Sequence, residues 1–185
     1  MAKHTNNNAS FGISGKVNQV VFRQRFGKTV VAKLLVRTAS LTDAQKNNNN
    51  TFKKAVLYAQ SILQNEAIRM AYSKKAKPGQ TTYNLAVADF FKAPEILSVD
   101  ISALTAADGG KISAMVIDNF RVECVNIKIE RNDGSLVEEE NASLENDGLN
   151  WVYITTSEGA DASGNRIIIT AIDLPGNKTV EEKII

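Results

Sequence analysis

The spacing of apolar residues changes near Pro94, and the change divides the chain into a helix-rich part and a strand-rich part. Before Pro94, apolar residues recur at three- and four-residue intervals across 52–63, 68–72 and 83–91, which predicts helices with one apolar face each. After Pro94, apolar and polar residues alternate, as in Val125–Glu130, which is the period of a strand with one buried face. The pattern therefore predicts three helices followed by a β-rich region.

The helix-rich part is predicted to form a β-hairpin and a three-helix bundle. Strand-forming residues flank a glycine-containing turn across Lys16–Val36, which is typical of a hairpin. Thr42, followed three residues later by glutamine, matches a capping box and predicts the start of the first helix. Asn65 predicts the start of the second helix, and Thr81 or Thr82 the start of the third.

The strand-rich part contains about seven strand-like segments, separated by turn sequences about every 8 to 12 residues. This is the signature of a β-sandwich. The expected fold class is therefore α+β. The expected domains are a disordered tail at 1–11, a hairpin and helical domain at 12–93, and an all-β sandwich at 94–185.

Charge is distributed unevenly between the two parts, although the net charge is only +2. Residues 1–93 contain 15 Lys and Arg against 3 Asp and Glu, whereas 94–185 contain 7 against 17. The two parts therefore carry net charges of +12 and −10. Opposite charges of this size favour association, either between the two parts of one chain or head to tail between chains.

The basic part carries the candidate binding surface. Its contacts are expected to come from hairpin and helix residues: Arg23, Arg25, Lys28, Lys74, Lys75 and Lys77. A protein partner or a second copy of the chain is the expected ligand. Nucleic acid is the alternative, because clustered Lys and Arg bind phosphates with release of counterions. Two features weigh against it: the acidic part would repel a duplex, and the aromatic residues Phe52, Tyr83 and Phe90 have the spacing of core residues.

Catalytic chemistry is not expected. The single histidine, His4, lies in the predicted tail, where it cannot be held as a general base. The single cysteine, Cys124, excludes an internal disulfide and is expected to be a small apolar filler of a strand. Gly12–Lys16 resembles a phosphate-binding loop but lacks its glycine–lysine spacing. The sequence therefore predicts a protein that is not an enzyme and has neither a cofactor nor a small-molecule substrate.

Calcium binding by the strand-rich part is an open alternative. Asp118, Asp173 and Asn177 fall near expected strand ends, where their oxygen atoms could bind Ca²⁺. Asp and Asn in turns also cap their own backbone, and this simpler role is favoured. No metal site is therefore predicted.

Membrane association is not predicted either. The first residues lack the apolar run of a secretory signal, and no window approaches the ~18 apolar residues of a membrane-spanning helix. The expectation that follows is a cytoplasmic location.

Two resemblances accompany these patterns. Trp151–Tyr153 and the turn sequence Ala171–Asn177 are similar to those of bacterial immunoglobulin-like modules, a resemblance that covers residues 95–185. It implies an immunoglobulin-like sandwich that acts as a spacer or recognition module. The whole chain also resembles a family of uncharacterised proteins from Bacteroidetes-type bacteria, through the motifs in Gly15–Val31 and Tyr83–Pro94. That family implies the same architecture and no particular activity.

Overall fold

The computed structural model describes residues 2–3, 13–25, 27–34, 39–104, 109–157 and 159–185. In these ranges the chain is mostly β, with three four-stranded antiparallel sheets and three helices. The helices are α1 (Asp43–Ile62), α2 (Glu66–Lys75) and α3 (Thr82–Asp89). The strands are β1 (Ala2–Lys3), β2 (Gly15–Val17), β3 (Val20–Arg25), β4 (Lys28–Lys33), β5 (Glu95–Ala103), β6 (Lys111–Ile117), β7 (Val122–Glu130), β8 (Leu136–Asn141), β9 (Ser143–Leu144), β10 (Asn150–Ile154), β11 (Arg166–Asp173) and β12 (Lys178–Ile184).

The chain divides into two compact units, Met1–Thr51 and Phe52–Ile185. The division falls inside α1, whereas the sequence places the boundary between residues 93 and 94. The spacing of apolar residues predicts where a helix lies, but it does not show to which compact unit each turn of that helix belongs.

The first unit contains a four-stranded sheet rather than an isolated hairpin. The predicted hairpin corresponds to β3 and β4, and the strand order is β1-β4-β3-β2. Gly27, in the connection, has a φ of 71°, a conformation that glycine adopts without strain. Of the predicted disordered tail, Ala2–Lys3 forms β1, and residues 1 and 4–11 lie outside the described residues.

The predicted helix starts are confirmed by their caps. Thr42 and Gln45 form a reciprocal capping box, with N-to-side-chain-oxygen distances of 3.2 and 3.3 Å. The side chain of Asn65 accepts hydrogen bonds from the first-turn amides of α2, and Thr81 caps α3 through the amide of Asn84 at 3.1 Å. Helix N-caps can therefore be predicted from sequence alone, because the side-chain acceptor lies within a few residues of the free backbone amides that it binds.

The predicted α+β fold with an N-terminal three-helix bundle is wrong. The buried residues of the helices share their core with Phe120, which precedes β7, and with Leu174, which follows β11. Tyr72 of α2 stacks on the ring of Phe120, with centroids 3.6 Å apart. Helices of 10 and 8 residues, the lengths of α2 and α3, cannot enclose a core alone, and they bury their apolar faces against residues of the strand-rich part.

The β-rich character predicted for residues 94–185 is confirmed. Strands β5 to β12 form two sheets, with orders β5-β6-β10-β9 and β12-β11-β7-β8. Both sheets contribute to one core through alternating strand residues. The buried apolar strand residues are Ile112, Ala114, Val116, Val125, Ile127, Ile129, Trp151, Tyr153, Ile167, Ile169 and Ala171.

A chain of ion pairs crosses the outer face of the second of these sheets. Glu130 of β7 contacts Lys128 at 2.7 Å and Arg166 of β11 at 2.8 Å, and Arg166 also contacts Glu182 of β12 at 3.7 Å. Hydrogen bonds from Lys128 and Arg166 lower the pKa of Glu130, and the same contact raises the pKa of Lys128. Alternating charges thus link three neighbouring strands.

No helix within the described ranges has both the length and the apolar character that crossing a bilayer requires.

Candidate functional site

One face of the first unit's sheet is basic. Because Arg25 pairs with Lys28 and Arg23 pairs with Val30, the side chains of these residues share one face. Val21 lies two residues before Arg23 on β3, so it lies on the same face as Arg23. Lys16 pairs with Val21 and therefore also lies on that face. We define the basic face by four cationic residues whose side chains are described: Lys16, Arg23, Arg25 and Lys28. All four are exposed.

The stretch of sequence that forms the basic face contains no acidic residue. Residues 1–42 contain seven Lys and Arg and no Asp or Glu. The first acid, Asp43, pairs with Lys46 at 2.8 Å, one turn further along α1. The opposite face of the sheet carries Lys33 as its exposed cation, since Lys33 pairs with Val20. The same sheet therefore offers a cationic residue off the basic face.

The predicted helix residues belong to a different unit from the predicted strand residues. Lys74, Lys75 and Lys77 belong to the end of α2 and the segment after it, in the second unit. The ammonium of Lys75 donates a hydrogen bond to the carbonyl oxygen of Phe120 and lies 5.4 Å from the centroid of the Phe120 ring. All three lysines are exposed, but the ammonium of Lys75 is engaged in this contact.

A buried polar cluster lies beneath α2 and α3. The hydroxyl of Tyr72 donates to Oδ2 of Asp89 at 2.6 Å, and the hydroxyl of Tyr58 lies 3.2 Å from that of Tyr72. Asp89 is 0% exposed, and its Oδ1 atom has no hydrogen-bond partner within the described part of the chain. A carboxylate in this position carries a desolvation cost that one hydrogen bond offsets only in part.

The pKa values of this cluster reflect that cost. Burial raises the pKa of Asp89 to about 6; the Tyr72 hydrogen bond opposes the shift, and the carboxylates of Asp118 and Asp173 add to it. Burial also raises the pKa of Tyr58 to about 12, and burial together with the bond to Asp89 raises the pKa of Tyr72. Asp89 is therefore the group of this cluster that titrates nearest to neutral pH.

We expect the hydroxyl groups of Tyr72 and Tyr58 to contribute differently to the free energy of unfolding. Tyr72→Phe removes the only donor to Asp89 found in the described residues and should lower the free energy of unfolding by about 1–3 kcal/mol. Tyr58→Phe removes one hydroxyl contact and leaves that donor in place, so it should cost about 1 kcal/mol or less. Urea unfolding at pH 7 measures both values, and equal costs would contradict this ranking.

Asp118, Asp173 and Asn177, the residues considered as calcium ligands, form hydrogen bonds within their own turns. Oδ2 of Asp118 accepts from the amides of Phe120 and Arg121, both at 2.8 Å. Asp173 accepts from the amide and side-chain nitrogens of Asn177, at 2.6 and 2.7 Å. In the described parts of the chain, no three His, Cys, Asp or Glu residues are grouped so that they could hold a metal ion.

Three further residues were considered in the sequence as candidates for a functional role: His4, Gly12 and Cys124. His4 and Gly12 lie outside the described residues. Cys124 is half-buried on β7, where it pairs with Ile172 of β11.

The second unit contains a cleft that was not predicted from the sequence. It has a volume of about 290 Å³ and lies between the end of α2, the segment from the end of β6 to the start of β7, and the β9–β10 connection. Its charged lining residues are Lys75, Asp118 and Arg121, and its apolar lining includes Trp151 and Leu149. These residues are far apart in sequence, so no local sequence motif predicts the cleft.

No protein-family model matches the chain, and no curated protein matches it. Among solved structures, a crystal structure of an engineered protein is similar at 15% sequence identity with a TM-score of 0.36. The match covers 60% of this chain and only 30% of that protein. A likeness at this level carries no inference, so the two resemblances drawn from the sequence gain no support here.

Proposed function

We propose that the chain is a non-enzymatic interaction protein that binds an acidic protein surface through the basic face. The observation that carries the proposal is the gathering of Lys16, Arg23, Arg25 and Lys28 on one exposed sheet face, within a stretch that contains no acid. A surface on which charges of one sign are clustered accelerates and orients association with a surface of the opposite sign.

A second copy of the chain is the partner that this charge distribution favours. Residues 1–51 contain 8 Lys and Arg and 1 acid, a net charge of +7, whereas residues 52–185 contain 14 and 19, a net charge of −5. Exposed acids of the second unit include Glu139 and Glu140 on β8, which is an edge strand of its sheet. Binding of the basic face to such acids on another copy would be head to tail.

Nucleic acid is the second candidate, because guanidinium and ammonium groups on one sheet face also suit phosphates. Phe22 alternates with Arg23 along β3 and therefore lies on the opposite sheet face from the basic residues. Base stacking on Phe22 would thus be separated from the cations, which makes the protein surface the favoured ligand.

The test compares variants of the full chain that differ in which sheet face loses charge. Arg23→Gln combined with Lys28→Gln should weaken self-association about tenfold at 50 mM salt, since two exposed contacts of about 0.7 kcal/mol each are lost. Lys33→Gln, on the opposite face of the same sheet, should leave it unchanged. Sedimentation velocity over a concentration series measures the association constant.

A parallel titration with a labelled random-sequence 20-bp duplex separates the two candidates. Self-association that weakens at 200 mM salt, with no duplex binding at 50 mM, supports the protein partner. Duplex binding that the Arg23 and Lys28 variant reduces, without self-association, would replace this proposal with the nucleic-acid one. If the chain neither self-associates nor binds duplex, the second copy is not the ligand. The cytoplasmic location remains a prediction from sequence.

A further inference from the structure

Strand β12 directs half of its backbone groups to the open edge of its sheet. It is the first strand in the order β12-β11-β7-β8 and, within the described part of the chain, it pairs with β11 alone. The amide of Ile185 donates to the carbonyl of Asn165, and the amide of Asp173 donates to the carbonyl of Asn177. Because antiparallel hydrogen bonds recur at every second residue, the odd-numbered residues of β12 bond to β11. The N–H and C=O groups of its even-numbered residues therefore point away from the sheet.

The side chains of the same even-numbered residues are exposed. They lie on the outer face of the sheet: Lys178, Val180, Glu182 and Ile184. Val180 and Ile184 are apolar, yet they are 55% and 76% exposed. An edge strand that presents apolar side chains beside free backbone groups is a template for a further strand. β12 is therefore suited to pairing with a strand of a partner.

The other edges of the two sheets of the second unit are less suited to such pairing. The register of β5 with β6 shifts at two positions, and β9 has only 2 residues. β8 carries Glu138, Glu139 and Glu140 in succession, which would repel a second β8. By contrast, β12 pairs with β11 in an unbroken register and carries charges of both signs.

The charges of β12 are complementary to those of a second, antiparallel β12. Lys178 lies two residues before Val180, and Glu182 lies two residues after it. A pair centred on Val180 therefore places each Lys178 opposite the Glu182 of the other copy, on the outer face. On the inner face, the same register places the Thr179 hydroxyl opposite the Glu181 carboxylate. Opposite charges face each other, and like charges do not.

Charge also disfavours the neighbouring registers. Centring the pair on Glu181, Glu182 or Lys183 would place that charged side chain directly opposite its own copy, which is destabilising. A slip by one residue would move the side chains of one copy to the wrong face of the sheet. Among antiparallel registers that pair five or more residues of β12, the one centred on Val180 is therefore favoured.

We propose that β12 is the interface of a two-fold symmetric dimer, in which the β12 strands of two copies pair antiparallel and join their four-stranded sheets. About six backbone hydrogen bonds form, two at the Val180 pair and two at each pair of Lys178 with Glu182. Because each copy uses its one β12 edge, association stops at the dimer. This interface does not involve the basic face, whose head-to-tail association would continue beyond the dimer.

Charge reversals in the full chain test the interface and its register. Lys178→Glu and Glu182→Lys should each weaken dimerisation about tenfold, because each creates two pairs of like charges. The variant with both changes restores opposite charges, so its dimerisation constant should return to within about threefold of the native value. Lys92→Glu makes the same charge change at an exposed residue outside β12 and should leave dimerisation unchanged. Sedimentation velocity from about 10 μM to about 1 mM measures the constants.

A proline at position 180 tests the backbone hydrogen bonds. Val180→Pro removes an N–H that points away from the sheet, which an edge strand tolerates, and it removes both bonds of the central pair. Dimerisation should weaken at least about tenfold, whereas Val180→Thr, which keeps the N–H, should stay within about threefold of the native value. Urea unfolding of each variant identifies losses that come from misfolding, and the charge reversals test the interface if Val180→Pro does not fold.

Three results would overturn the proposal. The first is a native chain that stays monomeric up to about 1 mM, a concentration at which weak edge pairing is detectable. The second is a Lys178→Glu, Glu182→Lys double variant that dimerises no better than the single variants, because these residues would then not face each other. The third is association that all β12 variants leave unchanged and that the Arg23 and Lys28 variant reduces, because the basic face would then join the copies.

Discussion

The Asp89→Asn variant is expected to be about 1–3 kcal/mol more stable than the native chain at pH 8 and to lose most of the native chain's pH dependence between pH 4 and pH 7. Burial raises the pKa of Asp89 to about 6 in the folded chain, whereas an unfolded aspartate has a pKa of about 3.9. The folded state therefore binds this proton more tightly. Stability is greatest below the unfolded pKa and falls as the pH rises through the folded value.

The size of this effect follows from the difference between the two pKa values, which corresponds to about 3 kcal/mol. Asparagine keeps an acceptor for the Tyr72 hydroxyl and cannot ionise, but its amide group brings new donors that cost part of the gain. Lys75, which lowers the pKa of Asp89, and Asp118 and Asp173, which raise it, remain in all variants.

Urea unfolding at intervals from pH 4 to pH 8 measures the difference. Asp161→Asn is the matched control, because Asp161 lies in the loop before β11 and is only partly buried. Its curve should run parallel to that of the native chain. If the Asp89→Asn curve also runs parallel, the buried carboxyl does not control the pH dependence, and the account of the cluster is wrong.

The Ile169→Ala variant is expected to lose about 3–4 kcal/mol of unfolding free energy. Ile169 is 0% exposed at the centre of β11 and belongs to the core that the two sheets of the second unit share. Truncation removes apolar contact area from both sheets and leaves a cavity in a rigid environment.

Ile168→Ala is the control for this truncation, since it removes the same atoms from the neighbouring strand position. Ile168 lies on the outer face and is only partly buried, so its truncation should cost about 1 kcal/mol. Urea or thermal unfolding at pH 7 compares the two. Equal losses would mean that β11 does not present Ile169 to the core.

The strands and caps were predictable because their signals are local. Alternation of apolar and polar residues in β7 and β11 identifies the buried face directly, since a strand places neighbouring side chains on opposite faces. The Thr42 and Asn65 caps depend on contacts within three residues. The same alternation places Arg23 and Arg25 on one sheet face.

The surroundings of the helices were not predictable because they depend on contacts far apart in sequence. The apolar face of α2 was visible, but nothing local indicates that Tyr72 stacks on Phe120, 48 positions later in the chain. One signal for the polar cluster was present and overlooked. Asp89 follows Leu85 by four residues, which places a carboxyl on the buried face of α3.

The two candidate sites also differ in whether their residues are close together in sequence. The basic face arises from one short stretch of alternating residues, and the sequence found most of it. Lys75 was predicted as a surface contact, yet its ammonium binds the Phe120 carbonyl, a pairing that only the fold creates. The cleft depends on three separate segments, and no spacing rule brings Lys75, Asp118 and Trp151 together.

The ion pairs across β7, β11 and β12 also govern how those strands align during folding. Apolar alternation repeats every two residues, so a two-residue slip of β11 along β7 would still bury isoleucines and would carry little hydrophobic penalty. In one direction the slip would place Arg166 opposite Lys128, and in the other it would place Ile168 opposite Glu130. Like charges would meet in the first misalignment, and a largely buried glutamate would lose its guanidinium in the second. Charge therefore selects one alignment among those that hydrophobic burial alone would accept.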